Sequence, residues 1–126
     1  FPYTTLFRSY FTADDGQIDL DHGNYLMIGT LDSYEKMVKY YGKEILVPIY
    51  IYVDDGVRLQ RALDREKSQK SPKYTEMCRR YLADENDFSP ERLTQCGIAG
   101  GYENGDLNTC ICSVLKDIED KMKPKL

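Results

Sequence analysis

EILVPIYIYVDD, residues Glu44 to Asp55, decides the fold of this chain. From Ile45 to Val53 apolar residues follow one another almost without a break, and most are β-branched or aromatic. A strand with one wet face alternates apolar and polar residues. A strand covered on both faces, as in a parallel sheet, reads as a continuous apolar run. Pro48 has no backbone donor, so it marks the start of the strand or an unpaired stretch.

The same reading extends outward in both directions. Upstream, YLMIGT (Tyr25 to Thr30) follows the turn-forming DHGN and predicts a second strand. Between the two lies LDSYEKMVKYYG, with Tyr34, Met37, Val38 and Tyr41 at helical spacing. Asp32 or Ser33 can cap this helix, Glu35 suits its first turn and Gly42 can end it. Strand, helix and strand predict a βαβ unit with a right-handed crossover.

Downstream, GVRLQRALDREKSQKS predicts a helix and then a polar loop. PKYTEMCRRYLADENDF predicts another helix, with Tyr74, Met77, Cys78, Tyr81, Leu82 and Phe88 on or near one stripe. In SPERLTQCG, Ser89 is a cap, Pro90 the first helical residue and Gly97 a stop. GGYENGD is a short strand or turn. Leu107, Cys110, Ile111, Val114, Leu115, Ile118 and Met122 form a 3.6-residue stripe, the pattern of a C-terminal amphipathic helix. Near the start, YFTADDGQIDL predicts a hairpin around Asp15-Gly16.

Helices alternating with strands imply a three-layer α/β domain built on a parallel sheet. The chain supplies two buried strands and one weak one, fewer than such a sheet usually holds. Composition narrows the function. The net charge is −4, which argues against a broad nucleic-acid footprint. No apolar run approaches the roughly 20 residues of a membrane helix, and no basic-then-apolar leader opens the chain. Cys78, Cys96, Cys110 and Cys112 form no CxxC, and the single histidine leaves no zinc spacing. They read as free, partly buried thiols of a reducing, cytoplasmic compartment.

The chemistry-bearing residues are mostly cations. Arg58, Arg61 and Arg65, three and four apart, share one face of a helix. Lys67, Lys70 and Lys73 lie in the loop that follows, and Arg79 and Arg80 in the next helix. Guanidinium forks suit phosphate oxygens and can share the charge that builds during phosphoryl transfer. The alternative is a solvated helix face paired by Asp64, Glu66, Asp84 and Glu85. Asp14-Asp15 read as a turn. Asp54-Asp55 either face the crevice at a strand's carboxyl end or cap the next helix. His22 reads as a lone surface histidine in a turn. There is no glycine-rich P-loop ending in Lys-Ser/Thr, and a Ser-His-Asp triad is ruled out.

Taken together, YFTADDGQIDL, YLMIGTLDSYEKM, VPIYIYVDDGVRLQRALDRE, PKYTEMCRRYLADENDFS and YENGDL resemble the guanylate kinase family, and most of all a divergent bacterial branch of it. The resemblance runs from Tyr10 to about Glu119. It implies a P-loop NTPase-like core of the nucleoside monophosphate kinase kind, with a mobile helical lid at about residues 58–88. The implied activity moves the terminal phosphate of ATP to GMP with Mg2+. Arg61, Arg65 and Arg80 best match the lid arginines that reach the ATP phosphates, with Arg79 beside them. Asn104 matches the asparagine near the adenine. Tyr10 matches the last aromatic residue of the stretch closing over the monophosphate. The implied partners are small-molecule nucleotides, with neither nucleic acid nor membrane.

The resemblance is partial. The family's P-loop, its Arg-containing segment and most GMP contacts precede the matched region. Where a core strand commonly carries an aspartate near the guanine, this chain reads Met27-Ile28-Gly29-Thr30. FPYTTLFRS (Phe1 to Ser9) resembles the in-frame translation of a sequencing-library adapter. The natural polypeptide is therefore expected to enter at about Tyr10, with residues 10–126 the C-terminal part of a guanylate kinase-like domain. The polypeptide itself is then expected to be inactive and to bind no nucleotide tightly. Two other readings stay open. One is a non-catalytic guanylate kinase-like module whose arginines hold an acidic or phosphorylated peptide. The other is a plain α/β domain with solvated arginines.

Overall fold

The computed structural model describes Gly16 and residues 18–124. These residues are mostly helical, with one small parallel sheet, and so have mixed α/β character. The chain divides into two compact units, Phe1–Leu46 and Val47–Leu126. The hairpin expected around Asp15-Gly16 and the site residue Tyr10 lie outside the described residues.

In the first unit, α1 spans Leu31–Tyr41. Its cap is Thr30, whose hydroxyl accepts from the Ser33 amide at 3.3 Å, two and three positions before the expected caps Asp32 and Ser33. Gly42 ends the helix as expected. Its φ is +93° and that of Gly97 is +74°, a region that costs a side chain strain and glycine none. Tyr25–Thr30 is not a strand. Leu26 is 83% exposed and Ile28 98%, and no described strand pairs with that stretch. Apolar, β-branched sequence makes a strand only when a neighbour supplies the ladder, so the expected βαβ unit is not formed here.

In the second unit, β1 (Ile51–Tyr52) pairs in parallel with β2 (Tyr102–Glu103), and Ile51 stands opposite Tyr102. The long apolar run thus yields a strand of two residues. Helix α2 (Asp55–Lys67) follows β1 after two residues, and α5 (Leu107–Met122) follows β2 after three. Both open on an aspartate cap. Asp54 accepts from the Val57 amide at 3.2 Å, which supports the capping reading of that pair. Asp106 accepts from the Thr109 amide at 2.8 Å and from the Thr109 hydroxyl at 2.7 Å. Between them come α3 (Tyr74–Asp87) and α4 (Pro90–Gln95), the latter capped by Ser89 with Pro90 at its first position, as expected.

Covered apolar surface is scarce. Among the described residues only Leu31, Met77 and Cys110 are buried apolar side chains, and none is fully enclosed. Helix α5 forms where its stripe predicts, yet Leu107, Ile111, Leu115 and Met122 on that stripe remain exposed. All four cysteines are free, but Cys78 and Cys112 are exposed instead of partly buried. Among the described residues, no helix is long and apolar enough to cross a membrane.

The Asp106 cap makes α5 sensitive to acid. The Thr109 amide and then its hydroxyl hold the Asp106 carboxyl below the usual aspartate range. A depressed folded value stabilises above the unfolded value and loses that contribution as pH falls through the folded one. Helix content followed by circular dichroism is expected to drop as pH falls below about 4. In Asp106→Asn, which keeps an acceptor but does not titrate, this component of the drop should disappear.

Candidate functional site: the arginine-bearing helix pair

Helices α2 and α3 pack on each other, and four contacts set their direction. Near the start of α2, the Arg58 guanidinium lies 4.1 Å above the Tyr81 ring centre and pairs with Glu85. Asp55 is 3.7 Å from the same guanidinium. The Tyr81 hydroxyl donates to the Asp55 carbonyl at 3.3 Å. At the other end, Glu66 Oε1 accepts from the Lys73 amide at 2.8 Å. Early α2 thus meets late α3 and late α2 meets early α3, so the helices are antiparallel around the loop 68–73.

This hairpin sorts the cations. Burial works against the Arg58 charge, but the Tyr81 side chain, Glu85 and Asp55 together outweigh it and raise the pKa of the guanidinium. Arg58 is therefore a clamp between helices. Arg79 donates to Glu76 through Nε at 2.9 Å and Nη2 at 2.7 Å. Its pKa is likewise raised, chiefly by that hydrogen bond. Arg80 shares Glu76, its Nε 3.6 Å from Oε1, a spacing too long for a hydrogen bond. That Nε is buried without a hydrogen-bond partner, as is the Nε of Arg58. The carboxylates that pair these arginines are thus Asp55, Glu76 and Glu85. Of the four acids expected to do so, Asp64 instead accepts from the Gln60 side-chain amide at 2.9 Å, and Glu66 faces inward.

Arg61 points the other way, toward the sheet. Its Nη1 donates to the Asn104 carbonyl at 2.8 Å and its Nη2 to the Gly105 carbonyl at 3.0 Å. Two expected site residues, Arg61 and Asn104, are thereby joined across 43 positions of sequence. The grip uses two of five guanidinium donors, so three remain for a ligand. Arg65 is exposed, and its side chain takes no partner among the described residues. Of the arginines on these two helices, it is the one whose charge the fold leaves uncommitted.

Beside this region, Tyr50, Tyr52, Pro90, Leu93, Ile98 and Gly101 line an open cleft of about 390 Å³. Tyr50 stacks near both Tyr52 and Phe88, with ring centres 6.1 Å and 6.2 Å away. Gly101 is required there. A Cβ on it would lie 2.6 Å from the Tyr50 carbonyl oxygen, so any side chain would push the strands apart. The Tyr102 hydroxyl donates to Asp117 at 2.7 Å, tying β2 to α5 and raising the phenol's pKa. His22 lies in a turn, exposed, with Nδ1 2.7 Å from Asp19, as a surface histidine should.

Sequence reading missed the inward role of Glu66, the Tyr102–Asp117 link and the Gly101 constraint. Only the last had a signal, the Gly-Gly before a short strand. Compared with known protein families, curated proteins and solved structures, the chain matches none.

Proposed function

We propose that this chain is the lid-bearing part of a guanylate kinase-like phosphotransferase that moves the terminal phosphate of ATP to GMP. The observation that supports the reading is the contact of Arg61 with the Asn104–Gly105 carbonyls. The resemblance assigns Arg61 to the phosphate side of ATP and Asn104 to its adenine side, and one guanidinium spans the two. In this reading Arg65 and Arg80 face the transferring phosphate, Arg79 supports the ATP side and Tyr10 closes over the monophosphate. The three-layer P-loop NTPase-like core would need more strands than the two described.

Among the described residues, no group of three or more His, Cys, Asp or Glu could hold a cation. Magnesium characteristically rides on nucleotide phosphates with one or two carboxylates, so the metal would arrive as MgATP. A phosphate cradle of the glycine-lysine kind would have to come from residues outside 1–126.

Titrating MgATP against the chain, with amide chemical shifts as the readout, tests this. Saturable shifts in α2 and around Asn104 are expected, with a dissociation constant of roughly 1 mM. Arg65→Ala should weaken binding about tenfold, the loss of one charge-assisted contact. Shifts that never saturate, or an Arg65→Ala protein that binds as the parent does, would remove the proposal.

A further inference from the structure

Two adjacent arginines of α3 share one carboxylate unequally. Arg79 takes both oxygens of Glu76, with Nε on Oε2 at 2.9 Å and Nη2 on Oε1 at 2.7 Å. Such a fork is the strong form of the contact. Arg80, one residue on, comes only within 3.6 Å of Oε1. Helical spacing does not explain the difference, because partners three and four residues apart are both within reach. The buried Nε of Arg80 is left without an acceptor, which costs free energy until an oxygen is brought to it. Arg79, by contrast, is half exposed, and Glu76 already occupies its fork. All three side chains belong to one helix, so the competition for Glu76 is set within α3.

We propose that Arg79 is a positioning residue: by occupying Glu76 it keeps that carboxylate from closing on Arg80, and so leaves the Arg80 Nε for a phosphate oxygen of the nucleotide. The phosphate step rests on the proposed function, and the competition for Glu76 does not. The two arginines then have different tasks. Arg80 meets the anion, and Arg79 acts on it only through Glu76. A Glu76 without Arg79 would oppose a phosphate in two ways. It would take up the Arg80 donor, and it would set an unbalanced negative charge beside the ligand's own. With Arg79 across both oxygens, the carboxylate is neutralised and the Arg80 donor stays unpaired.

Two measurements test this, one of them without ligand. In heteronuclear NMR spectra, the Arg80 Nε–Hε signal should shift in Arg79→Ala, and its exchange with water should slow, as Glu76 closes on it. Alanine is the best helix former, so circular dichroism should show α3 undisturbed. The second measurement is MgATP titration of the full chain through a double-mutant cycle. Arg79→Ala should weaken binding about threefold, the scale of one exposed ion pair. In a Glu76→Gln background the same substitution should cost nothing, because no carboxylate is left to capture Arg80. An Arg80 signal indifferent to Arg79→Ala overturns the proposal. So does a loss that persists beside Glu76→Gln, which would put Arg79 itself on the phosphate. Shifts that never saturate, in the parent or any variant, remove the phosphate step together with the proposed function, and a displaced Arg80 signal would then mark that failure as separate from the competition for Glu76.

Discussion

Glu66→Ala is expected to destabilise the α2–α3 hairpin by about 2 kcal/mol, the cost of leaving a screened backbone donor unpaired. Glu66 is 5% exposed, the only buried charged residue among those described. Its carboxylate reaches across the loop to the Lys73 amide at 2.8 Å, just where α3 begins without a side-chain cap of its own. The bond does two things. It satisfies an amide at a helix start, and it sets a negative group at the positive end of the α3 dipole. Alanine removes both and leaves loop 68–73 tied only through the chain. Glu66→Gln keeps an acceptor at the same reach but loses the charge, so it should cost roughly 1 kcal/mol or less. Urea unfolding followed by circular dichroism separates the variants. If Glu66→Ala matched the parent in midpoint, the carboxylate would not be the tie between the helices. Arg58 should hold the other end in either variant, because its contacts with Tyr81 and Glu85 do not involve the loop.

That hairpin also shows what the sequence could and could not disclose. The helices were legible because most carry local signals: Asp54 and Ser89 at starts, Gly42 and Gly97 at ends, and the α5 stripe throughout. Such signals act within one turn and need no distant partner. Strands are different. Tyr25–Thr30 and Ile45–Val53 have similar apolar, β-rich sequences, yet only Ile51–Tyr52 forms a strand, because only there does β2 supply a ladder. Pairing partners lie far along the chain, and composition does not name them. The arginine cluster was legible as a cluster and not as a set of roles. Spacing alone cannot foretell that Arg58 stacks on Tyr81 or that Arg61 turns to the Asn104 carbonyl, since each depends on what the fold brings alongside. The pairing of Glu76 with Arg79 and Arg80, three and four residues on in the same helix, was within reach of spacing. Arg65 could not be distinguished from its neighbours until their partners were known.

Given ATP, GMP and Mg2+, this polypeptide is expected to show no phosphotransfer, with turnover below about 0.001 per second against roughly 1–100 per second for ordinary kinases. Moving a phosphoryl group requires little covalent chemistry from a protein. Nearly all the rate comes from holding the phosphates in line and from neutralising charge as it builds. The chain's cations are poorly placed to do that by themselves. Arg58 is held by Glu85 and Tyr81, Arg79 and Arg80 share Glu76, and Arg61 is gripped by two carbonyls. That leaves the Arg65 charge uncommitted on the helix pair, together with the loop lysines. A single well-placed arginine can contribute a thousandfold or more, but only against phosphates already fixed by a cradle of backbone amides and a lysine. No stretch of the 126 residues has the full sequence of such a cradle: Gly42-Lys43 lacks both the first glycine, at position 37, and the Ser/Thr, at position 44. GGYENGDL comes nearest in glycine spacing, but it places Asp106 where the lysine belongs, and that aspartate is engaged as the α5 cap. A radiolabelled ATP assay resolves the two cases. Transfer to GMP at ordinary kinase rates would mean that these residues hold a phosphate site of another design, and the division of labour between lid and cradle would have to be abandoned.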